Sequence, residues 1–333
     1  MILEQRECLL YPRTMSNKVQ IQIVTWNSRK HLERLFRGIE KQRGIDFRVL
    51  IIDNNSSDGT VEWIEKYPDE ELASSSGFRS TSLSGRQEFG MTVIKNNENA
   101  GFAKAHNQGF ALCEAPYVLA LNPDTELQEG FLEQVVKTME SYDQIASVGG
   151  MLYRQLPSQE KSGIIDSCGL KMRLNGQIVD IGQNSSQNAN FSLKKDVFGV
   201  SGACVLYRLN ALKQVKDKYG IFDERFGTYK EDVDLAWRLN RAKFKAKINP
   251  KAVAWHEREF GKTDRKNQPN RVKQLSIQNH LMMLKKNLSW FDWHRFPFIL
   301  GYEMAKFIYV LLFERQSLWA YFKNTKNQTP NTK

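Results

Sequence analysis

Three short apolar runs, each cut off by an Asn- or Asp-rich turn, constrain this chain more than any other feature. Val19-Gln20-Ile21-Gln22-Ile23-Val24-Thr25 stops at Trp26-Asn27-Ser28. Phe47-Arg48-Val49-Leu50-Ile51-Ile52 stops at Asp53-Asn54-Asn55-Ser56-Ser57-Asp58-Gly59-Thr60. Tyr117-Val118-Leu119-Ala120-Leu121 stops at Asn122-Pro123-Asp124-Thr125. Apolar runs of this length suit buried strands and are too short for helices. Ser28 is placed to cap a helix from Arg29 to about Gln42, with Leu32, Leu35, Phe36 and Ile39 on one face. A second helix follows Thr60, with Val61 and Ile64 inward. This β-α-β-α order predicts an α/β domain with a mostly parallel, Rossmann-like central sheet. Ligands of such sheets bind outside the carboxyl ends of the strands, where these polar turns fall.

The remaining chain extends the pattern and then changes it. Met91–Ile94 is another strand, Asn99-Ala100-Gly101-Phe102-Ala103 opens a helix to about Cys113, and Glu129–Ser141 is a further helix before a strand at Ile145–Val148. From Gly150 to Val197 short strands such as Gln177–Ile181 alternate with Gly, Asn and Ser, which suits an antiparallel, acceptor-facing region. Ser201-Gly202-Ala203 interrupts the apolar segment Val197–Tyr207, and small residues there permit close approach of a ligand to backbone. Glu231-Asp232 opens a helix with Leu235, Trp237 and Leu239 partly in the core, and a last strand from Phe244 to Trp255 ends at His256. Asp69–Phe89 has the composition of a mobile surface insertion, and Glu257–Arg271 that of a lid. The division expected is a tail over 1–17, a catalytic domain over 18–260 and a helical extension over 261–333.

Charge is concentrated in the last part of the chain. Arg238–Lys333 holds 20 Lys and Arg against 6 Asp and Glu, whereas Met1–Trp237 holds 28 against 31. Nucleic acid, an anionic membrane surface and a phosphorylated substrate all answer to such a patch. The aromatic residues there sit in apolar runs, which disfavours nucleic acid. Phe296–Phe313 is apolar but contains Glu303 and Lys306. It therefore fits a basic amphipathic helix in the plane of a membrane better than a spanning one, the other reading being a helix packed on the domain. Met1–Asn17 lacks the apolar run of a secretory signal, and the four cysteines have no metal or redox spacing. Both point to the cytoplasmic side, peripheral to the inner membrane surface.

The polar strand ends are the chemical candidates. Asp124 is either a solvated turn residue or a carboxylate poised to carry a hard cation. Glu231-Asp232 is either a helix-start preference or a general base near a helix N-terminus. His256 is either a packed histidine or a metal ligand. No G-x-G-x-x-G follows the first strand, which disfavours a dehydrogenase.

Val24-Thr25-Trp26-Asn27, Ile52-Asp53-Asn54-Asn55-Ser56-Ser57-Asp58-Gly59-Thr60, Asn99-Ala100-Gly101-Phe102-Ala103, Leu121-Asn122-Pro123-Asp124, Gly202-Ala203 and Glu231-Asp232-Val233-Asp234-Leu235-Ala236-Trp237-Arg238 together resemble glycosyltransferase family 2. Six ordered blocks over about Val19–His256 carry the resemblance, and the Asn-Pro-Asp variant, the Glu-Asp-Val-Asp block and the basic apolar tail look most like its rhamnosyltransferase branch. The resemblance implies a GT-A fold and an inverting transferase that takes a nucleotide-diphosphate sugar, dTDP-L-rhamnose among the candidates. It implies a glycan or lipid-linked acceptor in polysaccharide synthesis and Mg²⁺ or Mn²⁺ as cofactor. Thr25, Asn27 and Asp53 would contact the nucleotide, and Asn99 and Gly101 would border its pocket. Asp124 would bind the metal, with His256 as an additional metal or diphosphate contact. Asp232 would be the base, and Gly202, Ala203 and Glu231 would lie on the acceptor side. Asp234 is a structural helix residue, and Arg238 contacts either phosphate or a carboxylate. Asn122 departs from the family's two-acid metal motif: a neutral amide suits the ribose but adds no charge to a cation. That departure motivates the alternative of a non-catalytic sugar-nucleotide-binding or membrane-tethering module.

Overall fold

The apolar runs become the middle of one sheet. The computed structural model describes residues 18–67, 90–156, 158, 160–186, 196–258 and 268–322. The tail 1–17, the insertion expected at 69–89 and most of the expected lid lie outside the described residues. Strands β1 (Val19–Thr25), β2 (Phe47–Asp53), β3 (Gly90–Lys95) and β4 (Tyr117–Leu121) pair in parallel in the order β3-β2-β1-β4. Helices α1 (Arg29–Glu40), α2 (Thr60–Lys66) and α3 (Phe102–Ala111) connect them. Beyond β4 comes the antiparallel β11 (Cys204–Arg208), then β6 (Ile145–Gln155) and β12 (Lys245–His256), which return to the first direction. The short β5 (Thr125–Leu127), β7 (Lys161–Ser167) and β10 (Asp196–Val197) pair antiparallel to β12, β6 and β12. A separate ribbon joins β8 (Leu170–Met172) to β9 (Ile178–Asp180). Helices α4 (Phe131–Glu140), α5 (Leu209–Val215) and α6 (Glu231–Arg241) complete the domain.

Local sequence explains most of these elements, and the exceptions have physical reasons. Leu32, Leu35, Phe36 and Ile39 of α1 are all buried, as their spacing requires. Ser28, however, makes no side-chain cap to α1. Asp58, from the turn after β2, caps instead, accepting from Arg29 N at 3.0 Å. In α2 the buried residues are Thr60, Trp63 and Ile64, while Val61 is half-exposed. The strand expected to end at Val148 runs on to Gln155, straight through Gly149-Gly150. A Cβ at position 150 would lie 2.3 Å from the Ala252 carbonyl oxygen and 2.7 Å from the Phe131 ring. Glycine here allows a close crossing of β6 by β12 rather than a turn. Gly150→Ala should therefore lower stability by about 1–3 kcal/mol in urea unfolding; an unchanged midpoint would mean the strands can part without cost.

The C-terminal extension is bolted on through buried charge. Helix α7 (Asn270–Asn287) brings Lys286 Nζ to 3.0 Å from Asp234 Oδ2 and Asn287 Nδ2 to 2.8 Å from Asp234 Oδ1. Arg238 Nε also donates to Asp234 Oδ2, at 2.8 Å, and Arg238 Nη1 to the Val215 carbonyl. Asp234 is thus structural and Arg238 pairs with a carboxylate, one of its two open alternatives. Helix α8 (Phe296–Phe313) turns its polar side inward and its apolar side outward. The continuous helical stretch Trp290–Phe313 is apolar and long enough to cross a membrane. The two charged residues of α8 face the protein, with Glu303 and Lys306 side chains 16% and 14% exposed, and most of its large apolar residues face outward. A four-residue helix, α9 (Trp319–Phe322), follows.

Candidate active site

The ends of β1 and β2 are locked together before any ligand arrives. Thr25 Oγ1 donates to Asp53 Oδ1 at 2.7 Å, and Ser56 donates to both Asp53 oxygens, through N at 2.8 Å and Oγ at 2.6 Å. Thr25 and Asp53 are both buried. Their side chains therefore shape the turn, and it is the next residues, Trp26, Asn27 and Asn54, that line a cleft of about 240 Å³. Asn27 adopts a left-handed backbone, φ +50°, and its Oδ1 accepts from Ser57 N at 2.9 Å, tying the two turns. Asn54 Oδ1 accepts from Asn96 Nδ2 at 2.9 Å, which fixes the orientation of its amide.

Asn99, Gly101, Asn122 and Asp124 line the same cleft, as do His31, Phe102 and Thr228, which the sequence did not single out. Asn99 Oδ1 accepts from Gly101 N at 3.0 Å. Gly101 itself has φ +81°, a conformation that favours glycine, and the backbone at the start of α3 touches Gly227. Of the residues expected on the nucleotide side, Asn27, Asn99, Gly101 and Asn122 line this cleft, while Thr25 and Asp53 lie beneath it, bonded to each other.

Asp124 and His256 meet at the far ends of β4 and β12. His256 Nε2 lies 3.4 Å from Asp124 Oδ1, and His256 Nδ1 lies 2.9 Å from Asp166 Oδ2. Burial alone would lower the His256 pKa, but the Asp124 and Asp166 carboxylates overcome it and hold the imidazole up to about 10. Burial likewise pushes the Asp124 carboxyl up, and the His256 charge more than reverses this, leaving it below the usual range. Asp166, on β7, is fully buried and also receives Arg258 Nε at 2.9 Å. It was missed in the sequence because nothing local marks it. A carboxylate on the second nitrogen of a histidine is the usual orienting device for an imidazole ligand.

These residues fit a divalent cation. Asn122 Oδ1 is buried without a hydrogen-bond partner, and Asp124 Oδ1 is held only loosely, by His256 Nε2 at 3.4 Å, so each has a lone pair to offer. Among the described residues no three His, Cys, Asp or Glu side chains form a cage. Mg²⁺ and ions like it commonly take one or two carboxylates and complete their shell with substrate phosphates and water.

The acceptor side is tied to the metal side through one loop. Asn122 N donates to the Ala203 carbonyl at 2.9 Å, and the preceding Gly202 N donates to Asp232 Oδ2 at 2.9 Å. A Cβ on Gly202 would sit 3.2 Å from the Asp232 Cβ, so the small residue permits this approach. Burial raises the Asp232 pKa, with Gly202 N–H opposing. Burial and the Asp232 charge raise that of Glu231 further, and Glu231 Oε2 has no hydrogen-bond partner. The turn that presents the pair is strained: Tyr229 and Lys230 have φ +73° and +77°. Asn279 of α7 holds it, with Nδ2 within 3.0 Å of the Phe226, Thr228 and Tyr229 carbonyls. The extension therefore positions the catalytic candidates, which the sequence did not suggest.

Residues 21–216 match the family model described as Glycosyl transferase family 2. An N-acetylglucosaminyl-diphospho-decaprenol L-rhamnosyltransferase of Mycobacterium tuberculosis is 26% identical over 255 residues, 73% of this chain and 77% of the relative. The mannosyltransferase PcManGT from Pyrobaculum calidifontis, solved with GDP-Man and Mn²⁺, superposes with a TM-score of 0.53 at 15% identity over 92% of this chain and 73% of its own. GalNAc-T7, solved with UDP, GalNAc and Mn²⁺, gives a TM-score of 0.56 at 12% identity, over 83% of this chain and 48% of its own. The fold is GT-A.

Proposed function

Because the chain belongs to glycosyl transferase family 2, we propose that it is an inverting glycosyltransferase of cell-surface glycan synthesis, moving a sugar from a nucleotide diphosphate to a lipid-linked or polysaccharide acceptor. The observation that carries this reading is the Gly202-Ala203 loop, which ties the carboxylate of Asp232 and the Asn122-Pro123-Asp124 turn to adjacent residues. A base on one side and a diphosphate site on the other is the arrangement an in-line displacement needs. Trp26, Asn27, Asn54, Asn99 and Gly101 would receive the nucleotide. Asp232 would take the proton of the acceptor hydroxyl as its oxygen bonds the anomeric carbon and the bond to the diphosphate breaks on the opposite face. A divalent cation held by Asp124 and His256 would neutralise the departing diphosphate. L-rhamnose from dTDP-L-rhamnose is the favoured donor, on the strength of the mycobacterial relative.

The test is transfer from dTDP-L-rhamnose to a diphospholipid-linked N-acetylglucosamine with Mg²⁺ or Mn²⁺, alongside other nucleotide sugars. Turnover should vanish with EDTA and return with added cation. Donor binding without turnover on any acceptor would instead favour the binding module. Cation affinity should also rise with pH, because ligation requires neutral imidazole and His256 is protonated up to about 10. Calorimetry with Mn²⁺ and nucleotide should show this rise from about pH 6 to about pH 9. A flat profile would remove His256 from the metal site.

A further inference from the structure

Helix α8 is built inside out for a water-soluble protein. Leu300, Met304, Ile308, Leu312 and Phe313 are 63, 57, 51, 58 and 72% exposed. Its charged residues point the other way. Glu303 Oε1 is 2.8 Å from His280 Nε2 on α7, Lys306 Nζ is 3.4 Å from Glu303 Oε2, and Tyr302 Oη accepts from Gln177 Nε2 at 2.6 Å. A helix that needed only to cover the domain would turn its leucines inward. This one satisfies its polar groups against the protein and leaves a continuous apolar strip outside, the polarity expected where the outer solvent is lipid.

The helix nonetheless lies along the domain and does not leave it. Ile299 is buried in a cluster with Leu284, Glu303 bonds His280, and Val310 is buried with Ile277. As α8 advances, its partners on α7 step backwards, so the two are antiparallel neighbours. Contact from Ile299 to Val310 spans roughly 16 Å at 1.5 Å per residue. A helix held at both ends in this way cannot cross a bilayer while docked.

The flanks match an interface. Trp290, Phe291 and Trp293 are exposed in the 3-10 turn Trp290–Arg295 just before α8, and Trp319 and Phe322 are exposed just after it. Aromatic residues at both ends of an apolar segment favour the headgroup level. Lys285, at the end of α7, and Arg315, just past α8, are also exposed, one near each end of the strip. That charge selects an anionic surface.

We infer that α8 and its aromatic flanks form an in-plane docking surface for an anionic lipid bilayer, with the polar Tyr302-Glu303-Lys306 side clamped to the domain. The surface does not depend on the transferase reading, since vesicle binding needs no donor or turnover. It does place α7, whose Asn279 holds the turn before Asp232, directly behind the membrane-facing helix.

Flotation of the full chain with phosphatidylglycerol-containing vesicles, compared with phosphatidylcholine alone, tests this. The wild type should float with the anionic vesicles and at least tenfold less with neutral ones. Leu300→Glu/Ile308→Glu/Leu312→Glu should lose flotation at least tenfold while keeping its melting temperature, because these side chains make no core contact. If that variant unfolds, Phe313→Ser/Trp319→Ser provides the same reading with a milder change. Vesicle binding unaffected by these substitutions would overturn the proposal. So would a wild type that stays unbound and sediments as a dimer, with the substitutions yielding monomer, since the strip would then join two copies of the chain.

Discussion

Replacing Asp232 by Asn is expected to cut sugar transfer about 10²- to 10⁴-fold while leaving donor affinity in place. The carboxylate sits in the first turn of α6, where the helix N-terminus favours negative charge, yet burial still raises its pKa. A raised pKa makes it the stronger proton acceptor. An asparagine keeps an oxygen that can accept the Gly202 N–H, gives up the bond that the second oxygen accepts from Val233 N, and cannot take a proton, so most of the geometry survives and the chemistry does not. The acid limb of the pH–rate profile follows from the same shift. Rate should fall as pH drops through the apparent pKa of the Glu231–Asp232 pair, and the variant should lose that dependence. Stability should move the other way. A carboxyl whose folded pKa exceeds its unfolded one destabilises the fold once ionised, so Asp232→Asn should melt no lower than the wild type near neutral pH. Transfer at the wild-type rate would remove Asp232 as the base, and a large drop in melting temperature would make the loss structural.

The parts of this protein that the sequence makes legible are those encoded by neighbours in the chain. β4 and most of β2 are continuous apolar runs, β1 alternates before turning apolar, and α1 has its face written at spacings of three and four. The turns after them are polar because strand ends must satisfy their backbone without a ladder. What was missed depends on residues far apart. Gly150 looks like a break until Ala252 is brought against it, and then it extends a strand. Ser28 looks like a cap until Asp58, thirty positions later, reaches the same helix start and takes the Arg29 N–H. Asp166 lies 90 residues before the histidine it holds, on a strand with no periodic signature. Glu303 and Lys306 look like interruptions of an apolar helix, because periodicity does not say which side faces the protein. His280 on α7, the partner of Glu303, decides that, and Lys306 follows Glu303. The Asp124, His256 and Asp232 candidates were readable because each ends a strand or opens a helix, while the devices that aim them, Asp166 and Asn279, were not.

Asp124→Ala and Asn122→Ala should separate the two halves of the turn that closes β4. Asp124 is the charged member, half-buried beside His256, whose Nε2 lies 3.4 Å from its Oδ1. Its removal takes the carboxylate from the proposed cation site and should abolish cation-stimulated transfer, a loss of at least about 10²-fold if the charge on the leaving diphosphate is what it serves. His256 would keep its bond to Asp166 and so its position, which makes the loss one of charge rather than of fold. Asn122 contributes no charge. Its backbone N–H holds Ala203 whatever the side chain, so Asn122→Ala leaves the loop intact and removes only an amide with a free oxygen. One neutral hydrogen bond is worth about 0.5–1.5 kcal/mol, so donor affinity should weaken between about twofold and about tenfold with turnover at saturation little changed. Mn²⁺ binding by calorimetry with nucleotide present distinguishes the two directly, lost in Asp124→Ala and retained in Asn122→Ala. The opposite pattern would make Asn122 the metal residue and Asp124 only a counter-charge for His256, and the proposed division of the turn would fall.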